Sequence, residues 1–213
     1  MNSTALARPR LLIRGPGLRR ALIAGARRVI ADRDILNKIN VFPVADGDTG
    51  SNLAFTLGGV LAGALSRRIA GAGDLMRQVG EDAIDGARGN SGAILAQFFT
   101  GVAENIAGRR AVEPGLLAEA VRAGSLSARQ ALAEPCEGTI LSVMGAFAES
   151  LPSRGRISDV RSWFAPGLAA ARRALADTPR QLPMLMRAGV VDAGAQGFVD
   201  LLEGIDEFIA NGR

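Results

Sequence analysis

Apolar residues recur at helical spacing along nearly the whole of this chain, and four short stretches of glycine and small polar residues interrupt the pattern. Leu53, Leu57, Val60, Leu61 and Leu65 form one stripe, and Phe198, Leu201, Leu202, Ile205, Phe208 and Ile209 form another. Such spacing gives each helix one apolar face, so the helices must bury those faces against one another. Runs of β-branched residues are scarce. Aromatics make up 4% of the chain and tyrosine is absent, so the core is built from Ala, Leu, Val and Ile, with Phe as its main large residue. Alanine and leucine favour helix. The expectation is an all-α fold, and 213 residues at 48% hydrophobic content suffice for one substantial core.

Helices are expected from Leu18 to about Asp34 with a short continuation to Ile39, from Ser51 or Asn52 through Leu65, and over 73–86 with Leu75, Val79 and Ile84 inward. More are expected from Ala93 to about Ile106, Pro114 to about Leu132, Thr139 to Leu151, Val160 to about Ala176, and around Phe198 to Ile209, with a short element near Leu182 to Met186. That makes about eight helices and no strand. Gly15-Pro16-Gly17 reads as a break behind a loose, basic arm covering residues 1–14.

Residues 1–33 hold eight arginines and one acid, Asp32. A basic arm can contact nucleic acid or membrane, but no stacking aromatics are interleaved with it, and the expectation is no nucleic-acid partner. The longest uncharged run, Thr49 to Ser66, contains Ser51, Asn52 and four glycines, too polar for stable membrane insertion. A single cysteine, Cys136, allows no intrachain disulfide and suits a cytoplasmic setting. Beside Pro135 it reads as a small filler. Histidine is absent, which excludes histidine-dependent triads and metal sites. Lys38 is the only lysine, which excludes a phosphate loop ending in Gly-Lys.

The four interruptions each lead into a helix, whose unpaired N–H groups and dipole suit phosphate. In the first, Asn40 to Asn52, Asp46 and Asp48 stand one glycine apart. Carboxylates are the expected ligands of Mg²⁺, and Gly47 lets the chain curl so that both reach one metal or bridge two. Asn40 can add a carbonyl oxygen. Thr49, Gly50, Ser51 and Asn52 can donate to phosphate from the helix start. An Asx-turn followed by a serine cap is the plainer reading of the same residues. The second loop, Gly86 to Gly92, places Asn90 and Ser91 at a helix start, with Arg88 either a phosphate clamp or an outward salt-bridge residue. The third is Glu137-Gly138-Thr139, where Thr139 can be a simple cap, and the fourth runs from Asp192 to Gly197.

Together, Asn40-Val41-Phe42-Pro43-Val44-Ala45-Asp46-Gly47-Asp48-Thr49-Gly50-Ser51-Asn52, Gly86-Ala87-Arg88-Gly89-Asn90-Ser91-Gly92, Glu137-Gly138-Thr139 and Val190-Val191-Asp192-Ala193-Gly194-Ala195-Gln196-Gly197 resemble the nucleotide-binding L domain of dihydroxyacetone kinases. They look closest to the N-terminal ATP-binding domain of bacterial fatty acid kinase A. The resemblance implies one L-type kinase domain over 15–213, an antiparallel eight-helix barrel with ATP bound in loops at one rim, and two Mg²⁺ ions held by carboxylates. It implies metal contacts from Asp46 and Asp48, and phosphate contacts from Thr49, Gly50, Ser51, Asn52, Asn90 and Ser91. Gly138, Thr139, Asp192 and Gly194 then surround the rest of the nucleotide. Dihydroxyacetone kinase L domains usually carry a histidine after the second aspartate, where this chain has Thr49, and a third upstream aspartate, where the nearest candidate is Asn40. Both departures favour the fatty-acid-kinase branch and leave the third metal ligand open. The implied activity is Mg²⁺-dependent phosphoryl transfer from ATP, with a fatty-acid-binding or other acceptor-carrying protein as partner and a homodimer possible. The ATP-binding subunit of a glycerone-type kinase and a non-catalytic nucleotide-binding adaptor are the alternatives.

Overall fold

The computed structural model describes residues 11–155 and 157–212. Among them are ten α-helices: α1 (Gly15–Ala31), α2 (Arg33–Lys38), α3 (Thr49–Ala62), α4 (Ala72–Asp85), α5 (Gly89–Asn105), α6 (Pro114–Gln130), α7 (Ile140–Ser150), α8 (Val160–Gln181), α9 (Pro183–Ala188) and α10 (Ala193–Asn211). α2 and α9 have six residues each, and the other eight are the long helices the periodicity anticipates. Each long helix packs on the next in chain order, and α10 packs on α1, so the eight close into an antiparallel barrel. The alternation puts the starts of α3, α5, α7 and α10 at one rim.

Several boundaries differ from the periodicity. Gly15-Pro16-Gly17 opens α1 instead of breaking the chain, because a proline in the first turn lacks only an N–H that no intrahelical carbonyl needs. α8 runs five residues past Ala176 and through Pro179. That proline cannot donate to the Leu175 carbonyl, and the Thr178 hydroxyl does so instead at 2.9 Å. Ile84, expected inward, is 47% exposed on the last turn of α4, whereas Leu75 and Val79 are buried. Two strands that no pattern announced, β1 (Ile13–Arg14) and β2 (Ala111–Val112), pair antiparallel with Ile13 opposite Val112. Two residues are too few to show an alternation. Residues 1–10 of the expected basic arm lie outside the described residues, and Ile13–Arg14 at its end are this strand.

The barrel interior is aliphatic with a phenylalanine cluster. Phe98 and Phe147 both stand edge-on to Phe198, at 5.4 and 6.0 Å between ring centroids. Such pairs add about 0.5–1.5 kcal/mol each beyond their buried area. They tie α5, α7 and α10 together about one and a half to two and a half turns below the rim. None of the helices among the described residues is long and apolar enough to cross a membrane.

Candidate functional site

The first loop is braced by Asn40, which is buried. Its Nδ2 donates to the Val44 carbonyl at 2.8 Å and to Asp46 Oδ1 at 3.0 Å, and its Oδ1 accepts from the Thr49 hydroxyl. Both ends of the carboxamide are therefore engaged within the loop. Asn40, expected as a third oxygen ligand, braces Asp46 and ties Thr49 to the loop at the helix start. Gly47 adopts φ +67°, the left-handed turn that lets the chain curl between the two aspartates.

α3 begins at Thr49, two or three residues before the expected Ser51 or Asn52, and Asp48 is its N-cap residue. Its carboxylate makes no capping hydrogen bond, which argues against reading the loop as a capped turn. Ser51 is not the cap either. Its N–H donates to Asn37 Oδ1 at 3.0 Å, and its hydroxyl accepts from Asn37 Nδ2 at 2.9 Å. Gly50 is packed against α2, where an added Cβ would lie 2.9 Å from Leu36 Cβ and overlap the Arg33 carbonyl oxygen. Ser51 and Gly50 thus clamp α3 to α2. Asn37 is a support for the start of α3 that spacing alone did not reveal, since it lies fourteen residues from its partner.

The remaining helix starts converge on this loop. Gly89 at the head of α5 abuts the Asn52 side chain, and a Cβ on Gly194 at the head of α10 would lie 3.0 Å from Ser91 Oγ and 3.5 Å from Ile140 Cβ of α7. Two cavities join here. The narrow one, about 200 Å³, is lined by Asn40, Asp46, Asp48, Thr49, Asn52, Asn90 and Ser91 among others. The wider one, about 250 Å³, shares Thr49, Asn90 and Ser91 and runs on to Thr139, Ile140, Asp192 and Gly194. Of the thirteen candidate residues, ten line these cavities. Gly50, Ser51 and Gly138 do not: Gly138 faces Gln181 and Leu182 at the end of α8.

The two halves differ in how their helix starts are satisfied. α7 is capped by Thr139, whose Oγ1 accepts from the Leu141 N–H, and α10 by Asp192, whose Oδ2 accepts from the Ala195 N–H at 2.8 Å. α3 and α5, which flank the carboxylates, have no side-chain cap. In α3 the Ser51 N–H is already taken by Asn37 Oδ1, so the Thr49 and Gly50 N–H groups, those of the first turn of α5 and the positive ends of both dipoles are what remains for an anion. Asp192 is 5% exposed, and burial pushes its carboxyl up to about 6 against the backbone N–H bonds of Ala195, Ile140 and Gly194 that favour its charge. It stitches α7 to α10 as well as lining the wider cavity.

Sequence reasoning passed over several lining residues. Phe42, Pro43, Ile94, Leu132 and Ile140 make the wider cavity partly apolar, and Cys136, read as filler, is half-buried in its wall. The donor set at the narrow end fits a hard cation. It offers two carboxylates, and among the described residues no group of three acidic, histidine or cysteine side chains could hold a metal unaided. Mg²⁺ is commonly held by one or two carboxylates, with substrate phosphates and water completing its shell.

Comparison with known proteins gives three findings. The chain matches the DAK2 domain over residues 43–207. It is 35% identical over 187 residues to an uncharacterized protein of Staphylococcus aureus (strain USA300), and equally to its counterpart in strain NCTC 8325, covering 86% of this chain and 34% of the relative. The chain thus spans about a third of the length of the curated relatives it matches. In fold it is similar to the dihydroxyacetone kinase of C. freundii crystallised with AMP-PNP and Mg²⁺, with a TM-score of 0.71 at 19% identity over 97% of this chain and 36% of that one. The native form of that kinase gives 0.67 at 17% identity, over 97% of this chain and 38% of that one.

Proposed function

We propose a function from the premise that this chain belongs to the DAK2-domain family: it is the nucleotide-binding domain of a kinase, transferring the γ-phosphoryl group of ATP to an acceptor that another protein or further domains present. The observation that carries this reading is the pair of uncapped helix starts, α3 and α5, on either side of Asp46 and Asp48 in one cleft. The fold likeness to a kinase crystallised with AMP-PNP and Mg²⁺ supports it.

Asp46 and Asp48 would hold Mg²⁺. When bound, the metal would neutralise charge on the phosphoryl oxygens. Thr49, Asn52, Asn90 and Ser91, with the first-turn N–H groups of α5 and those of α3 ahead of Ser51, orient the phosphates. The partly apolar cavity leading to Thr139, Asp192 and Gly194 takes the rest of the nucleotide. Asn40 keeps Asp46 aimed at the cleft, and the Asn37–Ser51 pair keeps the start of α3 against α2.

A fatty-acid-kinase-like system is the finer reading. A fatty acid carboxylate is already ionised at neutral pH, so its oxygen can attack the γ-phosphorus without a general base. The new bond gives an acyl phosphate, and the bond to the ADP oxygen breaks. A chain without histidine, with Thr49 after the second aspartate, suits an acceptor of that kind. A dihydroxyacetone hydroxyl would have to lose a proton, which this cleft offers no histidine to take. Release of ADP from ATP and Mg²⁺, measured with a fatty-acid-loaded carrier protein, with a dihydroxyacetone-loaded carrier and with neither, tests the assignment. Stimulation by the fatty-acid carrier alone is expected. Stimulation by the second carrier only would favour the glycerone kinase reading, and nucleotide binding with no turnover under any condition would leave an adaptor.

A further inference from the structure

Arg88 is the N-cap residue of α5, and its backbone N–H donates to Thr56 Oγ1 at 3.3 Å. Its guanidinium lies over the Phe55 ring, 4.6 Å from the centroid, and donates to the Ala87 carbonyl at 2.8 Å. Among the described residues it has no carboxylate partner. Phe55 is 57% exposed, so burial of its own surface does not explain a phenylalanine there. Asp48, Asn52 and Phe55 stand at i, i+4 and i+7, which puts them on one face of α3. Phe55 is about 10 Å along the axis from Asp48 at the helical rise. Gly89, the residue after Arg88, abuts the Asn52 side chain that lines the narrow cavity. The guanidinium is therefore a cation held on the same helix face as the metal-loop carboxylate Asp48 and kept on an aromatic ring.

We infer that Arg88 is a positioning residue for the terminal phosphate: it rests on the exposed Phe55 ring beside the cleft and turns onto the γ-phosphate when a nucleoside triphosphate binds. This rests on the nucleotide reading above. The backbone anchor at Thr56 fixes the Cα, so only side-chain torsions change. A cation–π contact at an exposed site is weaker than a charge-assisted bond to phosphate, so the arriving anion wins the guanidinium. The planar fork suits a phosphate in two-point contact, which a lysine cannot match. A diphosphate leaves this position empty, so Arg88 discriminates triphosphate from diphosphate.

Calorimetric titration with AMP-PNP and with ADP, each with Mg²⁺, tests this in wild type, Arg88→Ala and Arg88→Lys. Arg88→Ala is expected to weaken AMP-PNP binding roughly tenfold or more and to leave ADP binding unchanged. Arg88→Lys should lose part of the same preference, and it carries the test if the alanine variant does not fold. Equal loss for both nucleotides would assign Arg88 to supporting the start of α5, and no loss would leave it a surface residue; either overturns the inference. Wild type binding neither nucleotide would take the nucleotide reading down as well. Binding abolished by Asp46→Ala with Asp48→Ala, but with an unaltered preference in Arg88→Ala, would sink the Arg88 role alone.

Discussion

Gly50→Ala and Gly58→Ala make the same chemical change in the same helix, and the structure predicts opposite signs. Both residues lie within α3. Replacing glycine by alanine in a helix interior gains roughly 0.5–1 kcal/mol from backbone entropy and propensity. At Gly58 an added Cβ meets nothing within 4 Å, so that gain stands alone, and a domain of this size should melt about 1–4 °C higher. At Gly50 the Cβ overlaps the Arg33 carbonyl oxygen and lies 2.9 Å from both Asn37 Oδ1 and Leu36 Cβ. A backbone carbonyl cannot step aside like the tip of a long side chain, so α3 must move off α2. Overpacking of this kind costs about 1–3 kcal/mol, so set against the propensity gain the net loss is up to about 2.5 kcal/mol and melting should fall by up to about 10 °C. The displaced end of α3 carries Asp48 and Thr49, so Gly50→Ala should also weaken Mg²⁺-dependent nucleotide binding while Gly58→Ala preserves it. Thermal melts and titrations on the two variants give both readouts. Equal stabilisation by both substitutions would refute the close α2–α3 approach, and with it the account of how the Asp46–Asp48 loop is held.

The buried carboxyls and the single thiol provide two further tests. Asp192 and Asp200 are both pushed up to about 6 from 3.8, chiefly by burial. Between those values the folded chain binds protons that the unfolded chain does not, so their contribution is complete below about pH 3.8 and is lost as pH rises through about 6. A shift of that size is on the order of 3 kcal/mol per group. Asp200 is 4% exposed, with Gln196 as its hydrogen-bond donor at 2.8 Å. Asp200→Asn should therefore gain on wild type as pH rises from about 3.8 to about 6 in urea unfolding, and parallel pH profiles would contradict the shift. Cys136 walls the wider cavity, so saturating ATP with Mg²⁺ should slow its alkylation several-fold, and an unchanged rate would place the nucleotide elsewhere.

The helices were legible because their apolar stripes are long enough to show the 3.6-residue period, and eight long helices follow from that. Their ends were less so. Helix starts are set by which side chain satisfies the first N–H groups, and the Asn37 clamp that settles the start of α3 is distant in sequence. The two-residue strands carry no periodic signal, and the passage of α8 through Pro179 depends on one hydroxyl substituting for one amide. Within the site, the Asp46–Asp48 pair and the four polar loops were visible as composition. The division of labour among them was not. Asn40 stood out as an oxygen-bearing residue near two carboxylates, and its bracing of the loop is visible only in its three hydrogen bonds. Gly50 and Ser51 stood out because they lie in the first turn, and their packing against α2 had no local signal. The pairing of Arg88 with Phe55 links residues 33 positions apart on different helices, which no local pattern can show.

The central claim is that Asp46 and Asp48, flanked by the open starts of α3 and α5, hold a magnesium-bound nucleotide. Isothermal titration of the chain with ATP, with and without Mg²⁺, set beside the Asp46→Ala, Asp48→Ala double variant, tests it most directly. Binding that requires Mg²⁺ and disappears in the double variant, with the variant's fold retained by circular dichroism, is the expected result. Binding that survives loss of both carboxylates, or no binding by the wild type, would contradict the account.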